Sequence, residues 1–564
     1  MNSILFLILR RLRAPLILII VSFSVATMGL TLMPGEDPNG NRWYMSIFQA
    51  FYVISYTATT IGYGEVPYAF SQAQRLWTTF SIYFTVIPWF YAVGKIIALI
   101  QDISLRQAIT TIRFSRVVRQ IQEPFYILCS YGESASLLAK ALIQKGLRVV
   151  VIESQQERLN ELELTDTVSV IPYLCGDAKL PENLVHAGIH NPFCSGVVAL
   201  TDNDDVNLAI AVAVKLMRPN VAVFARAERD DISANMASFG TDHIINPFTL
   251  FGEQLAMRVH ALGTYLLHQW LTSVSGETLP PPTNPPRGRW VVCGYGRFGK
   301  SVVQNLEREH LSVTIVEAMP ELTDCHNCVL GSGTEAKTLL EAGIMDANAI
   351  VAGTDNDINN LSIVMTAYEL NPALFLVIRK NKRHNNILFK QFDADITMQP
   401  TDIIAHECLA HMVTPLLAQF LTQARSQTNE WANNLISQLV SVVGETVPET
   451  WVVNVHDQSA AAVSELIRET IPLTLQHLMQ DPANRNKPLN LVPLLLIRNQ
   501  RMTLIPSVTC RLEIGDSLLF CGTSNAKSAV GLLLNNTMTL RYIVDGVVHP
   551  ESAVWRYVKR KLSH

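Results

Sequence analysis

Hydrophobic and polar positions along this chain of 564 residues fall into two regimes. The first hundred residues carry long unbroken apolar runs. Pro15 to Met33 contains no charge, and Leu76 to about Gly94 is apolar between Arg75 and Lys95. Each is long enough to cross a bilayer as a helix. Between them, Pro34 to Arg42 is short and polar, and Trp43 to Thr59 reads as an aromatic-rich helix too short to cross, so it has to enter and return. Ahead of the first run, Ile4 to Leu9 is apolar and precedes Arg10, Arg11 and Arg13, the reverse of the order in a cleaved leader. Ile4 to Leu12 is expected to form a short helix of its own on the membrane face. After a basic, weakly amphipathic connector from Gln101 to Gln122, β-branched runs alternate with helix-period segments, the pattern of parallel sheets covered by helices.

The segment after the short helix, Thr59-Thr60-Ile61-Gly62-Tyr63-Gly64-Glu65-Val66-Pro67, is extended and polar in backbone. Such a stretch survives at membrane depth only where protein surrounds it and ions or water satisfy its carbonyls. Gly62 and Gly64 accept positive φ, so successive carbonyls can face one axis. The carbonyls of Thr60, Ile61, Gly62 and Tyr63, with the Thr60 hydroxyl below them, then replace the hydration shell of a dehydrated ion once four copies surround the axis. At these residues the chain resembles the two-transmembrane potassium channel family, over roughly residues 15 to 100. The resemblance implies a homotetramer with a selectivity filter at Thr60, Ile61, Gly62, Tyr63 and Gly64 and K+ as permeant ion. Glu65 departs from the family, which most often has Asp there, and puts filter stability and inactivation in question. Pro88 and Gly94 in the second span are hinge candidates.

A long passage that starts at Tyr126 repeats itself from Trp290. Tyr126-Ile127-Leu128-Cys129 runs into Ser130-Tyr131-Gly132-Glu133-Ser134-Ala135, and Trp290-Val291-Val292-Cys293 runs into Gly294-Tyr295-Gly296-Arg297-Phe298-Gly299. Each predicts strand, tight turn and helix. A second strand then ends in an acid, Glu153 or Glu317, each twenty-one residues beyond Gly132 or Gly296. That spacing suits a carboxylate facing a ribose while the turn glycines admit a pyrophosphate at the helix N-terminus. Thr201-Asp202-Asn203-Asp204 matches Thr354-Asp355-Asn356-Asp357, Arg226 matches Arg379, and Asn246-Pro247 matches Gln399-Pro400, all 153 residues apart. Here the chain resembles the RCK domains, which regulate potassium conductance. The resemblance implies that the helical passages Phe248 to Leu271 and Asp402 to Leu421 cross over and lock two lobes into an intramolecular pair. It also implies that the stretch from about Thr428, with Ile514 to Phe520, is a small C-terminal subdomain present after the second copy alone.

The expected fold is thus a membrane all-α pore, with two transmembrane helices, a reentrant pore helix and a filter, joined to two α/β Rossmann-like RCK domains. Its parts are a pore domain (1–100), a gating connector (101–122), a first RCK domain with crossover helices (123–275), a proline-rich linker (276–288), a second lobe with its crossover helices (289–425), and a C-terminal subdomain with tail (426–564). The candidate nucleotide contacts are Gly294, Gly296, Arg297, Phe298, Gly299, Glu317 and Thr334 in the second copy, which keeps all three turn glycines. Gly132, Glu133, Ser134 and Glu153 are the candidates in the first, where Ser130 and Ala135 replace the outer two. An acid after each second strand favours NAD or an adenine nucleotide (ADP or ATP) over a 2′-phosphorylated dinucleotide, because like charges repel. Asp177, Asp202 and Asp204 at strand ends are candidate ligands for a divalent cation such as Ca2+, solvated loop acids being the plainer alternative.

Composition narrows this further. At 49% hydrophobic and a net charge of −4, the chain offers no basic footprint for nucleic acid. Nine cysteines without disulfide spacing suit a reducing compartment, and Cys325-His326-Asn327-Cys328 is at best half of a metal site. Arginines before the first span, and Lys95, Arg106, Arg113, Arg116 and Arg119 after the second, predict an integral inner-membrane protein with both termini cytoplasmic. No hydride-transfer constellation accompanies either turn, so the expectation is a non-enzymatic channel gated by nucleotide and divalent cation. The alternative is a nucleotide-sensing regulatory subunit of a potassium transporter.

Overall fold

The computed structural model describes residues 2–164, 171–273 and 283–547, and divides into two units, 1–120 and 121–564. Much of the expected linker at 276–288 and the end of the tail, 548–564, lie outside the described residues.

In the first unit, α1 (Asn2–Leu32) leads to a hairpin of β1 (Gly35–Glu36) and β2 (Arg42–Trp43), then to α2 (Ile47–Ala58), α3 (Gln72–Gln101) and α4 (Ile103–Arg119). The separate helix expected at Ile4 to Leu12 is instead the start of α1. The Leu, Ile and Arg residues there are good helix formers with no glycine to end the run, and Pro15 lies inside the helix. Trp43 falls outside α2, because Ser46 starts that helix with a capping box. Its side chain accepts from the Gln49 amide, and Gln49 Oε1 accepts from the Ser46 amide at 3.0 Å. Ser71 and Gln74 start α3 in the same way. Pro88 is buried within α3, which passes through it and Gly94 unbroken.

The core of this unit is Ala26, Leu30, Val53, Ile54 and Tyr56. Gly29 is required there, since a Cβ would lie 2.0 Å from the Trp77 ring. Trp77 Nε1 donates to the Ala26 carbonyl at 3.0 Å, which holds α1 against α3. Outside this seam the apolar side chains are bare, with Leu76, Phe80 and Ile87 each more than 60% exposed. Leu12–Leu32 and Gln72–Gln101 are both long and apolar enough to cross a membrane.

In the second unit the first lobe is β3 (Phe125–Leu128), α5 (Glu133–Gln144), β4 (Arg148–Glu153), α6 (Gln156–Leu164), β5 (Tyr173–Cys175), α7 (Pro181–His186), β6 (Cys194–Ala199), α8 (Asp204–Met217), β7 (Ala222–Arg226), α9 (Asp230–Ser238) and β8 (His243–Ile245), followed by α10 (Pro247–His260) and α11 (Leu262–Thr272). The second lobe repeats this as β9 (Arg289–Cys293), α12 (Arg297–Arg308), β10 (Ser312–Glu317), α13 (Pro320–Thr323), β11 (Val329–Leu330), α14 (Ala336–Glu341), β12 (Ala349–Ala352), α15 (Asp357–Leu370), β13 (Phe375–Arg379), α16 (Asn386–Gln391), β14 (Ile396–Met398), α17 (Pro400–Val413) and α18 (Pro415–Ala424). Both sheets are parallel, ordered β5-β4-β3-β6-β7-β8 and β11-β10-β9-β12-β13-β14. This doubly wound order reverses beside the first strand, where such sheets bind ligands.

The helices after each sheet are exchanged. Phe248, Phe251 and Leu255 of α10 are buried with Trp290, Phe298 and Val302 of the second lobe. Ile404, Cys408 and Met412 of α17 are buried with Leu128, Leu138 and Leu142 of the first. Each passage breaks into two helices at one residue, Ala261 (φ −142°, ψ 61°) or Thr414 (φ −141°, ψ 76°). Beyond α18 come α19 (Asn429–Val443), β15 (Glu449–Asn454), α20 (Ala461–Arg468), α21 (Leu475–Leu478), β16 (Gln480–Asp481), β17 (Asn484–Pro488), β18 (Leu491–Arg498), β19 (Arg501–Leu504), β20 (Ser517–Gly522), α22 (Ser524–Asn535) and α23 (Thr537–Asp545). Their antiparallel sheet, β15-β20-β18-β19, forms a small α+β subdomain around Leu518 and Phe520.

Candidate functional site

The second lobe holds a cavity of about 330 Å³ at the C-terminal ends of β9, β10, β12 and β13, walled by Gly294, Gly296, Glu317, Met319, Thr323, Ser332 and Arg379. Gly294 has φ +93°, a value other residues resist, and this turns its carbonyl under α12. Gly299 has to be glycine for packing, since a Cβ would lie 1.9 Å from the Gly294 oxygen. Gly296 caps α12 and meets nothing within 4 Å, so the helix N-terminus opens onto the cavity. Glu317 is buried but not free. Its Oε2 accepts from the Tyr295 amide at 2.6 Å and its Oε1 from the Met319 amide at 2.9 Å, bracing the turn from inside the cavity.

Other expected contacts fall differently. Phe298 is buried against Phe248 and Phe251, flooring the cavity from the core. Thr334 lies beyond the lining, which is made by Gly331 and Ser332, and Thr366 donates to its carbonyl. Arg297 lines the cavity and also reaches to the first lobe, where its Nη2 pairs with Glu228 at 2.9 Å.

Sequence reasoning paired Arg226 with Arg379 without seeing that they differ in partners. Arg226 is neutralised, with Nη1 on Asp202 at 2.8 Å and Nη2 on Glu228. Arg379 has no acid within ion-pair distance among the described residues. Its Nε has no hydrogen-bond partner, and Nη1 reaches only the Gly353 carbonyl at 3.5 Å. The guanidinium lies 4.6 Å from the centroid of the Phe248 ring, and burial pushes its pKa down to about 10. A buried cation aimed into a cavity beside a helix N-terminus fits an anion. The signal was present one step along the repeat, where Glu228 is matched by Asn381.

The first lobe's turn is built differently. Ser130 lacks the positive φ of Gly294, and Glu133 replaces Arg297 at the helix start, where it accepts from the Arg383 amide at 3.2 Å. Ser134 is buried. Glu153 accepts from the Tyr131 amide at 2.6 Å, as Glu317 does from Tyr295. In addition, Arg158 lies across the site, 3.5 Å from Glu153 and 3.9 Å from Asp202, with an Nη1 at 3.4 Å from where a Gly132 Cβ would stand.

The three acids proposed for a divalent cation have separate protein partners. Asp177, Asp202 and Asp204 serve three separate ends: Asp177 accepts from the Lys179 amide, Asp202 pairs with Arg226, and Asp204 accepts from the Glu228 and Arg229 amides at 3.0 and 2.9 Å. Among the described residues no three His, Cys, Asp or Glu side chains gather as metal ligands. The repeated Asp204 and Asp357 are turn braces, since Asp357 takes the Asn381 and Lys382 amides in the same way.

In the first unit, positive φ occurs at every second residue, Thr60 (62°), Gly62 (68°) and Gly64 (93°), so successive carbonyls can share one side. Thr60 was not foreseen in this role. The Tyr56 hydroxyl donates to the Gly64 carbonyl, and the Tyr63 ring packs on Tyr56 and Tyr52 at 5.5 and 6.3 Å. Glu65 is tied back, its carboxylate gripping Arg75 at 2.8 and 3.1 Å and accepting from the Phe70 amide at 2.8 Å.

The TrkA-N domain family matches this chain twice, over residues 126–247 and 290–400. Potassium channel protein 1 of Methanocaldococcus jannaschii is 24% identical over 43% of this chain and 68% of its own length. The Escherichia coli voltage-gated potassium channel Kch is 27% identical over 38% of this chain and 49% of its own. A Trk system potassium uptake protein TrkA homolog of Pyrococcus horikoshii is 31% identical over 22% of this chain and 60% of its own length. Among solved structures, the GsuK channel bound to NAD aligns over 95% of this chain and 99% of that one, at 14% identity and a TM-score of 0.47. Two stretches of the chain thus match the TrkA-N domain in tandem, and over part of its length the chain is similar to potassium channel and potassium uptake proteins.

Proposed function

We propose that this chain is one subunit of a homotetrameric, potassium-selective channel in the inner membrane, regulated by NAD or an adenine nucleotide bound in the second lobe. The observation that carries the reading is the Thr60 to Gly64 segment, with its alternating positive φ, held between two helices of membrane-crossing length. Four copies supply rings of carbonyls from Thr60, Ile61, Gly62 and Tyr63. In the second lobe the pyrophosphate meets the amides at the start of α12 and the Arg379 guanidinium, and Glu317 faces the ribose. The ligand is regulatory, shifting a closed–open equilibrium through the Asp102-capped connector helix α4.

A coupling of about 1 to 3 kcal/mol per subunit sums to roughly 4 to 12 kcal/mol over four, enough to move a gate from mostly shut to mostly open. Potassium and sodium flux through the purified chain in liposomes, with and without NAD or ADP, tests both parts. Equal flux of the two ions sinks the selectivity reading, and flux indifferent to nucleotide sinks the regulatory one. A transporter's regulatory subunit would have no need of the first hundred residues.

A further inference from the structure

Cys325 and Cys328 are left unused by this reading. They bracket the end of the loop that walls the second cavity. Met319 and Thr323 line the cavity on one side of the pair, Gly331 and Ser332 on the other. The chain turns just ahead of the pair, where the Cys325 amide donates to the Pro320 carbonyl at 3.1 Å and Asp324 is left-handed (φ 53°), and it brings Cys328 Sγ to 3.6 Å from the Cys325 carbonyl oxygen. Cys325 is 8% exposed and Cys328 half-buried, and both thiols are free. Burial, then hydrogen bonding with the Cys328 thiol, pushes Cys325 up to about 12. A Cys-x-x-Cys beside a βαβ unit is a redox pattern, and among the described residues no three His, Cys, Asp or Glu side chains gather here as metal ligands.

We infer that Cys325 and Cys328 form a reversible intrachain disulfide at the rim of the second cavity, and that closing it weakens nucleotide binding there; this rests on reading that cavity as a nucleotide site. The oxidant is a small-molecule disulfide such as oxidised glutathione. The more accessible Cys328, as thiolate, attacks one of its sulfurs, breaking that S–S bond and releasing one thiolate. Cys325 then gives its proton to water and attacks Cys328 Sγ, expelling the second thiolate. The protein loses two protons and two electrons, and the small disulfide is reduced to two thiols.

The link to the cavity runs through Glu317. Its Oε2 holds the Tyr295 amide of the turn and its Oε1 the Met319 amide of the loop, so the position in which its remaining lone pairs meet a ribose follows the position of the loop from Met319. The Gly331 amide, donating to the Glu317 carbonyl at 3.0 Å, fixes the loop's far end. A covalent tie between Cys325 and Cys328 stiffens what remains.

The test equilibrates the full chain, in detergent micelles, with glutathione redox buffers, quenches it by alkylation, maps its peptides, and measures NAD and ADP binding to the reduced and oxidised forms. The expected result is a Cys325–Cys328 cross-linked peptide and affinity lower in the oxidised form by on the order of tenfold. By linkage, saturating nucleotide then makes the pair easier to reduce by about 30 mV per tenfold. Cys328→Ser keeps the reduced-state affinity and loses the response. The exposed Cys175 reports that the oxidant reached the protein. A glutathione mixed disulfide at Cys175 with Cys325 and Cys328 recovered alkylated and not cross-linked, or a cross-link that leaves affinity within twofold, overturns the inference while the nucleotide reading stands. A reduced protein that binds neither nucleotide overturns the nucleotide reading, and the coupling with it, whatever the peptide map shows.

Discussion

Replacing Arg379 by methionine separates what this side chain does for the empty protein from what it does for the ligand. Burial pushes its pKa down to about 10 from 12.5, and at about 1.4 kcal/mol per tenfold this is roughly 3 kcal/mol of disfavoured charge, an upper figure because the group is partly solvated. Methionine has the length to lie on the Phe248 and Phe298 rings that the guanidinium now covers. Exchanging an unpaired buried charge for an apolar side chain therefore stabilises the unliganded protein, by about 1 to 2 kcal/mol. Nucleotide affinity moves the other way. Loss of a charge-assisted hydrogen bond costs about 1.5 to 3 kcal/mol, or roughly 10- to 150-fold in Kd for ADP and NAD. Titration calorimetry reads the affinity, and thermal unfolding without ligand reads the stability. The mirror variant Arg226→Met inverts the first outcome, because it leaves Asp202 with Arg158 at 3.9 Å and the buried Glu228 with Arg297 alone. The reasoning is refuted if Arg379→Met lowers the melting temperature of the unliganded protein, or leaves both affinities within twofold of the parent.

Three further outcomes follow from single contacts. Gly299→Ala pushes a methyl group to 1.9 Å from the Gly294 carbonyl oxygen, so α12 has to move off β9, costing about 1 to 3 kcal/mol of stability and nucleotide binding together, as thermal unfolding and calorimetry show. Glu65→Gln loses the forked grip on Arg75, and potassium flux in liposomes is expected to begin normally and decline faster than in the parent. His268 is held near pKa 4 by burial and then by Arg425, while the unfolded chain takes up its proton near 6.5. Its contribution is therefore intact above pH 6.5 and is lost as pH falls toward 4, at up to about 1.4 kcal/mol per pH unit. His268→Leu, which installs the residue found at the matching Leu421, flattens that part of the stability curve measured by urea unfolding.

The repeat made most of the second unit legible. Strands ending at Glu153 and Glu317 follow from residues spaced alike in both copies, and a period is insensitive to local detail, whereas the exchange of helices after each lobe was implied by the resemblance to RCK domains alone. What escaped was whatever depends on partners. The acids Asp177, Asp202 and Asp204 look alike as letters, yet each is consumed by a different amide or guanidinium. Arg379 is informative because of an acid that is missing two residues later, and a single copy read alone does not show an absence. Capping displaced the start of α2 from Trp43 to Ile47, because Ser46 with Gln49 outweighed the aromatic residues before it. The unbroken α1 shows that charge at Arg10 to Arg13 does not end a helix when nothing else in the run does.

The exchanged helices of the two lobes have a consequence for how such a pair can change over generations. Two identical chains that swapped arms in this way would receive every substitution twice, so an acid beside one arginine would appear beside the other. Joining the copies end to end frees each position to be altered once. Glu228 and Asn381 stand at such a position: in one half the arginine is neutralised by an acid that also grips its neighbour, while in the other the charge is unspent.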